Sequence, residues 1–284
     1  MRPDSELLSL IYLMEDPDPV IRDAVRERLV ERGEDAVEQI ERFVLPQMEE
    51  ERKEKYFLLL DEIRADIAID QLSLLLKDPQ PKLDKALYLI TRVADTSAVE
   101  IIYFSTLENL MDEISLEISE DKTPVENIGI FNFLFFKRFG FRHTDTKMQR
   151  PEAALLDRVL LSRGGNPVTV TLAFFLLAGL TGLPVYPLCF PGGFVPVYLD
   201  QQGNILFYLN IFKQGTIFAE DTLRQFFEEI GMTYNPENLR IEEERALLSI
   251  YAELLSFVYK NNGDEVVGRR IDRVIELLGG RRYL

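Results

Sequence analysis

The sequence predicts an α+β protein, in which a wholly helical first part precedes a mixed part whose strands form one small antiparallel sheet. Three observations carry this expectation. Apolar residues in the first 122 positions recur at helical spacing, and residues 164–199 carry no charge while passing from helix-like to strand-like composition. Three short apolar runs, 185–190, 194–199 and 205–210, are separated by Pro191-Gly192-Gly193 and by Asp200-Gln201-Gln202-Gly203-Asn204, and short turns of this kind join antiparallel neighbours.

Composition narrows the function classes. The chain has 284 residues, 46% hydrophobic and 28% charged, enough to bury a substantial core, with a length that suggests about two domains, and too apolar for a disordered chain. A formal net charge of -16 argues against a nucleic-acid partner, because phosphate binding needs clustered Lys and Arg. With one cysteine and one histidine there is no internal disulfide and no Cys/His zinc site, and no spacing points to another metal or to a cofactor.

The charge is uneven along the chain. Residues 1–122 hold 30 acidic and 15 basic side chains, whereas 123–284 hold 18 and 17. The change of character near Asp121-Lys122-Thr123-Pro124 places a boundary there, and the acidic part reads as a solvated helical surface. Leu7, Leu8, Ile11 and Tyr12, then Val20, Ala24, Val25 and Leu29, lie at helical spacing, punctuated by Pro17 and Pro19 and closed by Gly33. Asp16-Pro17-Asp18-Pro19 with Ala24 and Val25 recurs 62 positions later as Asp78-Pro79-Gln80-Pro81 with Ala86 and Leu87. The Asp-Pro start followed by Ile21-Arg22 resembles HEAT-like repeats, whose helix pairs stack because one pair cannot cover its own apolar face.

Phe131, Phe133, Phe135, Phe136, Phe139 and Phe141, closed by Gly140, predict a core helix rather than an aromatic ligand box. Helical patterning resumes over 151–161. Asn166 then suits an N-cap and Pro167 the first turn of an uncharged helix. Residues 168–186 are long enough to span a bilayer, but Thr169, Thr171, Thr181, Gly179, Gly182 and Pro184 and the strands that follow read as a buried core helix and strand. With no signal-like N-terminal segment and no span, the expected compartment is the cytoplasm.

Six motifs in order, Phe139-Gly140-Phe141-Arg142, residues 155–161, Arg163-Gly164-Gly165-Asn166-Pro167, Gly182-Leu183-Pro184-Val185-Tyr186, Phe190-Pro191-Gly192-Gly193-Phe194 and Leu209-Asn210, resemble the core of bacterial transglutaminase-like proteins of the SirB type. Residues 246–258, Asn262-Gly263-Asp264 and 271–278 resemble the tetratricopeptide-like helix pair that often follows it. The resemblance completes the expected organisation: a HEAT-like array over 1–122, a transglutaminase-like core over 123–236 and a helical hairpin over 237–284.

Active relatives in that superfamily place a cysteine at the start of the central helix, a histidine on the next strand and an aspartate on the strand after. The helix terminus lowers the thiol pKa, the imidazole takes its proton and the carboxylate orients the imidazole. The resemblance puts Pro167 at the cysteine position, Gly193 at the histidine position and Asn210 at the aspartate position, so no catalytic residue is assigned. The lone Cys189 lies in an apolar strand-like run and reads as a buried structural thiol; the lone His143 reads as a solvated loop side chain; Ser162, Thr169 and Thr171 read as capping or core hydroxyls.

The expectation is an inactive transglutaminase-like scaffold for a protein or peptide partner. Its vestigial cleft would be shaped by Asn166, Pro167, Thr169, Gly193, Phe194 and Asn210. The alternative is a peptide-amide hydrolase or acyltransferase with another nucleophile.

Overall fold

In a computed structural model the described residues are 5–229, 231 and 233–284, and of Phe226 and Glu229 the backbone alone is described. Backbone contacts divide the chain into two compact units, one holding residues 1–81 and 92–97, the other 82–91 and 98–284.

The first unit is helical, with no strand among its described residues. It contains α1 (Ser5–Leu13), α2 (Pro19–Arg32), α3 (Glu34–Gln39) continued by a π-turn, and the long α4 (Glu50–Leu75). Their apolar faces meet in one core that includes Leu7, Ile11, Leu29, Val37, Ile40, Tyr56, Leu60 and Ile63. Tyr56 donates from its hydroxyl to the Ile11 carbonyl at 3.2 Å, so its polar end is satisfied inside that core. Both Asp-Pro segments form the same local turn. The Asp18 N–H donates to Asp16 Oδ1 and the Gln80 N–H to Asp78 Oδ1, each at 2.9 Å. Beyond the turn the copies diverge: Pro19 opens α2, whereas α5 (Leu83–Ala94) begins after Pro81, the offset counterpart of Pro19.

Residues 82–91, the larger part of α5, and α6 (Glu100–Ser115) belong to the second unit, so its border lies upstream of the charge change near Asp121. Packing explains this placement. The buried Leu83, Ala86, Leu87 and Ile90 give α5 an apolar face, and the Thr91 hydroxyl accepts from the Tyr251 hydroxyl at 2.8 Å while donating to the Leu87 carbonyl. Next, α7 (Pro124–Asn132) starts in a capping box between Thr123 and Glu126 and runs into a π-turn over Phe133–Arg138. Phe131, Phe135 and Phe136 pack with Phe174, and Phe141 stacks on Phe135 at 4.1 Å; Phe133, expected in the same core, is instead exposed, because the segment is helical and turns that position outward.

Two short strands, β1 (Arg142–His143) and β2 (Gly164–Gly165), pair in parallel on either side of α8 (Leu156–Ser162). A Cβ at Gly165 would lie 2.7 Å from Val159, so this pairing requires glycine. The central helix α9 (Pro167–Leu180) follows directly and is buried along most of its length. Then come β3 (Val185–Phe190), β4 (Gly193–Leu199), β5 (Ile205–Asn210) and β6 (Thr216–Phe218), followed by α10 (Glu220–Glu229) and β7 (Arg240–Ile241). The sheet order is β6-β5-β4-β3-β7, antiparallel throughout, with Phe190 opposite Gly193 at the tight β3–β4 turn. Leu188, Phe190, Val197 and Tyr208 form one face against Leu223 and Phe227 of α10. The hairpin of α11 (Arg245–Asn261) and α12 (Glu265–Leu277) closes the unit, with α11 packed on α9. No helix among the described residues is long and apolar enough to cross a membrane.

Candidate functional site

The start of α9 is built as the sequence suggests. Asn166 is fully buried, and its Oδ1 accepts from the Thr169 N–H at 2.9 Å and from the Thr169 hydroxyl at 3.2 Å, satisfying a donor the helix itself leaves unpaired. The Thr169 hydroxyl also lies 3.1 Å from the Ala154 carbonyl, so this residue is committed to joining α9 to the segment before α8. Pro167 occupies the first helical position, with extended backbone at Asn166 before it.

Pro167, Gly193 and Asn210, far apart in sequence, line one cavity of about 600 Å³, within the size range of small-ligand and peptide-side-chain sites. Val168 and Thr171 of α9, Phe190, Phe194, Leu209 and Phe218 of the sheet, Phe212 between β5 and β6 and Leu223 of α10 form much of the wall. Thus four of the six candidate residues, Pro167, Gly193, Phe194 and Asn210, face the cavity, while Asn166 and Thr169 support it from the buried interior.

Chemically the wall is apolar. Its threonines at 171 and 216 donate to nearby carbonyls, of Pro167 at 2.8 Å and Lys213 at 2.5 Å, and Asn210 Oδ1 accepts from the Lys213 N–H at 3.0 Å. Among the described residues, Lys213 is the one ionisable side chain on the wall. At the position that resembles the histidine site, the empty space is already taken: a Cβ on Gly193 would lie 3.0 Å from the Phe190 ring, which itself packs on Phe227 at 4.8 Å.

Cys189 is buried, as the apolar run predicts. Burial, with a smaller contribution from Glu242, pushes its thiol up to about 12, the opposite of an activated nucleophile. His143 differs from its expected solvated loop. It lies on β1, half-buried, with its ring 5.0 Å from Phe212 of the cavity wall and Nε2 buried without a hydrogen-bond partner; burial lowers its pKa. The reason is the β1–β2 pairing, which draws residue 143 against the segment entering α9; a two-residue strand leaves no periodic signal in sequence. Cys189 stands in register with Phe194 and Arg240, so the two lone residues have different neighbours. Among the described residues no group of three or more His, Cys, Asp or Glu side chains is placed to hold a metal ion.

The sheet order, the buried helix start and the cavity between them define a transglutaminase-like core. The family model of the transglutaminase-like superfamily matches residues 102–252, more than half of the chain, and the chain belongs to that superfamily. It is also 25% identical over 181 residues to a UPF0162 protein of Haemophilus influenzae, a match that covers 63% of this chain and 65% of that relative's length. No solved structure matches it.

Proposed function

We propose that this chain is a catalytically inactive, SirB-type member of the superfamily, acting in the cytoplasm as a scaffold that binds a protein or peptide. The observation that supports the reading is the wall of the cavity at Pro167, Gly193 and Asn210: it is made of phenyl rings and aliphatic groups, and the resemblance puts nucleophile, base and orienting carboxylate at those three positions. An apolar cleft with a few fixed polar groups at its rim suits an aliphatic or aromatic side chain of an extended peptide. The helical first part, read as HEAT-like, and the closing hairpin, read as tetratricopeptide-like, supply further partner-facing surface in this proposal.

The enzyme alternative draws on one observation, the imidazole of His143 beside Phe212. Its lowered pKa leaves it neutral, but a base needs a nucleophile to deprotonate, and the Cys189 thiol is held protonated. The test is turnover of peptide amides and esters by the full chain, with and without an alkylating reagent. The expected result is none above background. Alkylation-sensitive turnover that disappears in Cys189→Ala would overturn the inactive reading, and turnover that disappears in His143→Gln would favour the alternative.

A further inference from the structure

Beyond α12 the chain reverses through Gly279 and Gly280, whose φ angles of +94° and +67° lie in the left-handed region. A Cβ at either would meet nothing within 4 Å, so these glycines serve the reversal itself rather than a close approach. The reversal is fixed by the Gly280 N–H, which donates to the Ile275 carbonyl at 2.9 Å. Residues 281–284 then run back over the second unit. The Arg281 guanidinium lies 3.4 Å from Glu242 and 5.6 Å from the ring centroid of Tyr283. The Tyr283 N–H donates to both Glu253 oxygens at 2.9 and 3.0 Å, and the Leu284 N–H donates to Glu253 Oε2 at 2.8 Å. Leu284 reaches the wall of the cavity, the same wall that holds Pro167, Gly193 and Asn210.

These contacts hold a short peptide as a receptor would: consecutive main-chain N–H groups on one carboxylate, a cation on another, and an aliphatic side chain at an apolar opening. We propose that residues 279–284 form a strap at the mouth of the cavity, gripped by Glu253, which must swing out on the Gly279-Gly280 hinge before a peptide of similar chemistry can enter. The inference rests on reading the cavity as a peptide cleft. Glu253 is partly buried, and burial raises its pKa in spite of the two N–H donors, so the hydrogen bonds do not fully offset the loss of water around the carboxylate. Leu284 is still 44% exposed, resting at the opening rather than filling it.

The chain contains no tryptophan, so Phe212→Trp places a single reporter on the cavity wall at a position already 68% exposed. In that background the strap is removed by deleting residues 279–284 or loosened by Leu284→Ala, with circular dichroism confirming that each variant stays folded. The probe is the synthetic peptide Gly-Gly-Arg-Arg-Tyr-Leu. The strap-less protein should bind it, shifting the tryptophan emission, about tenfold more tightly than the intact chain, because a tethered competitor acts at an effective concentration near millimolar. Leu284→Ala, which weakens the strap and leaves the free peptide and its receptor groups unchanged, should fall between the two. Equal binding by the intact and strap-less proteins overturns the strap and leaves the peptide-cleft reading standing. Binding by neither, at millimolar peptide, overturns both.

Discussion

At position 189 a thiol is buried, and burial together with the negative charge of Glu242 raises its pKa from the ordinary 9.0 to about 12. Alkylation of the native protein should therefore stay slow from pH 7 to 10, while the unfolded chain reacts faster as pH passes its own thiol pKa; rapid native modification at pH 8 would contradict this placement. The sign of the stability effect follows from the same shift. The folded thiol binds its proton more tightly than the unfolded one, so this contribution is fully present below about pH 9 and is lost as pH rises toward 12. Position 193 makes a second prediction. Gly193→His forces a side chain into the Phe190 ring and should cost roughly 1–3 kcal/mol in urea unfolding. In a Phe190→Ala background that penalty should shrink by a measurable coupling energy, and strictly additive effects would show that the two positions do not share space.

Helix starts are where local chemistry is most visible. Asn166→Ala removes the acceptor for the Thr169 N–H and should lower stability by about 1–2 kcal/mol, with Asn166→Ser recovering most of it. No loss in Asn166→Ala would mean that the cap is not anchoring α9. This element was legible in advance because Asn-Pro before an uncharged run is a direct statement about backbone donors and φ angles. The three principal strands were legible for a similar reason, since Gly-rich turns between apolar runs leave few alternatives. The parallel β1–β2 pair was not legible, because two residues cannot show a period, and His143 was misplaced with it. Nor did periodicity reveal that residues 279–284 return to the cavity, because a single Leu284 contact and two main-chain donors leave no pattern in side-chain order. The convergence of Pro167, Gly193 and Asn210 came from motif order rather than from hydrophobic pattern.

Across the whole molecule, the second unit depends on a contact between residues 160 positions apart. Tyr251 is fully buried, donating to the Thr91 hydroxyl and accepting from the Leu156 N–H at 2.9 Å, so one phenol joins α5, α8 and α11. Tyr251→Phe leaves the Leu156 donor unsatisfied and should cost about 1–3 kcal/mol, read as a lower urea midpoint with unchanged m-value. A variant as stable as the parent would show that water replaces the hydroxyl without penalty.

That same phenol imposes a schedule on synthesis. A ribosome adds residues in order at roughly 5–20 per second, so Thr91 emerges on the order of ten seconds before Tyr251 exists. During that interval the first four helices already have their core partners, while the Thr91 hydroxyl on α5 waits for its phenol. The nascent chain thus carries α5 without its tie to α11 downstream of four helices that can already pack, and a pause in translation after residue 97 would let those four settle before the tie is made.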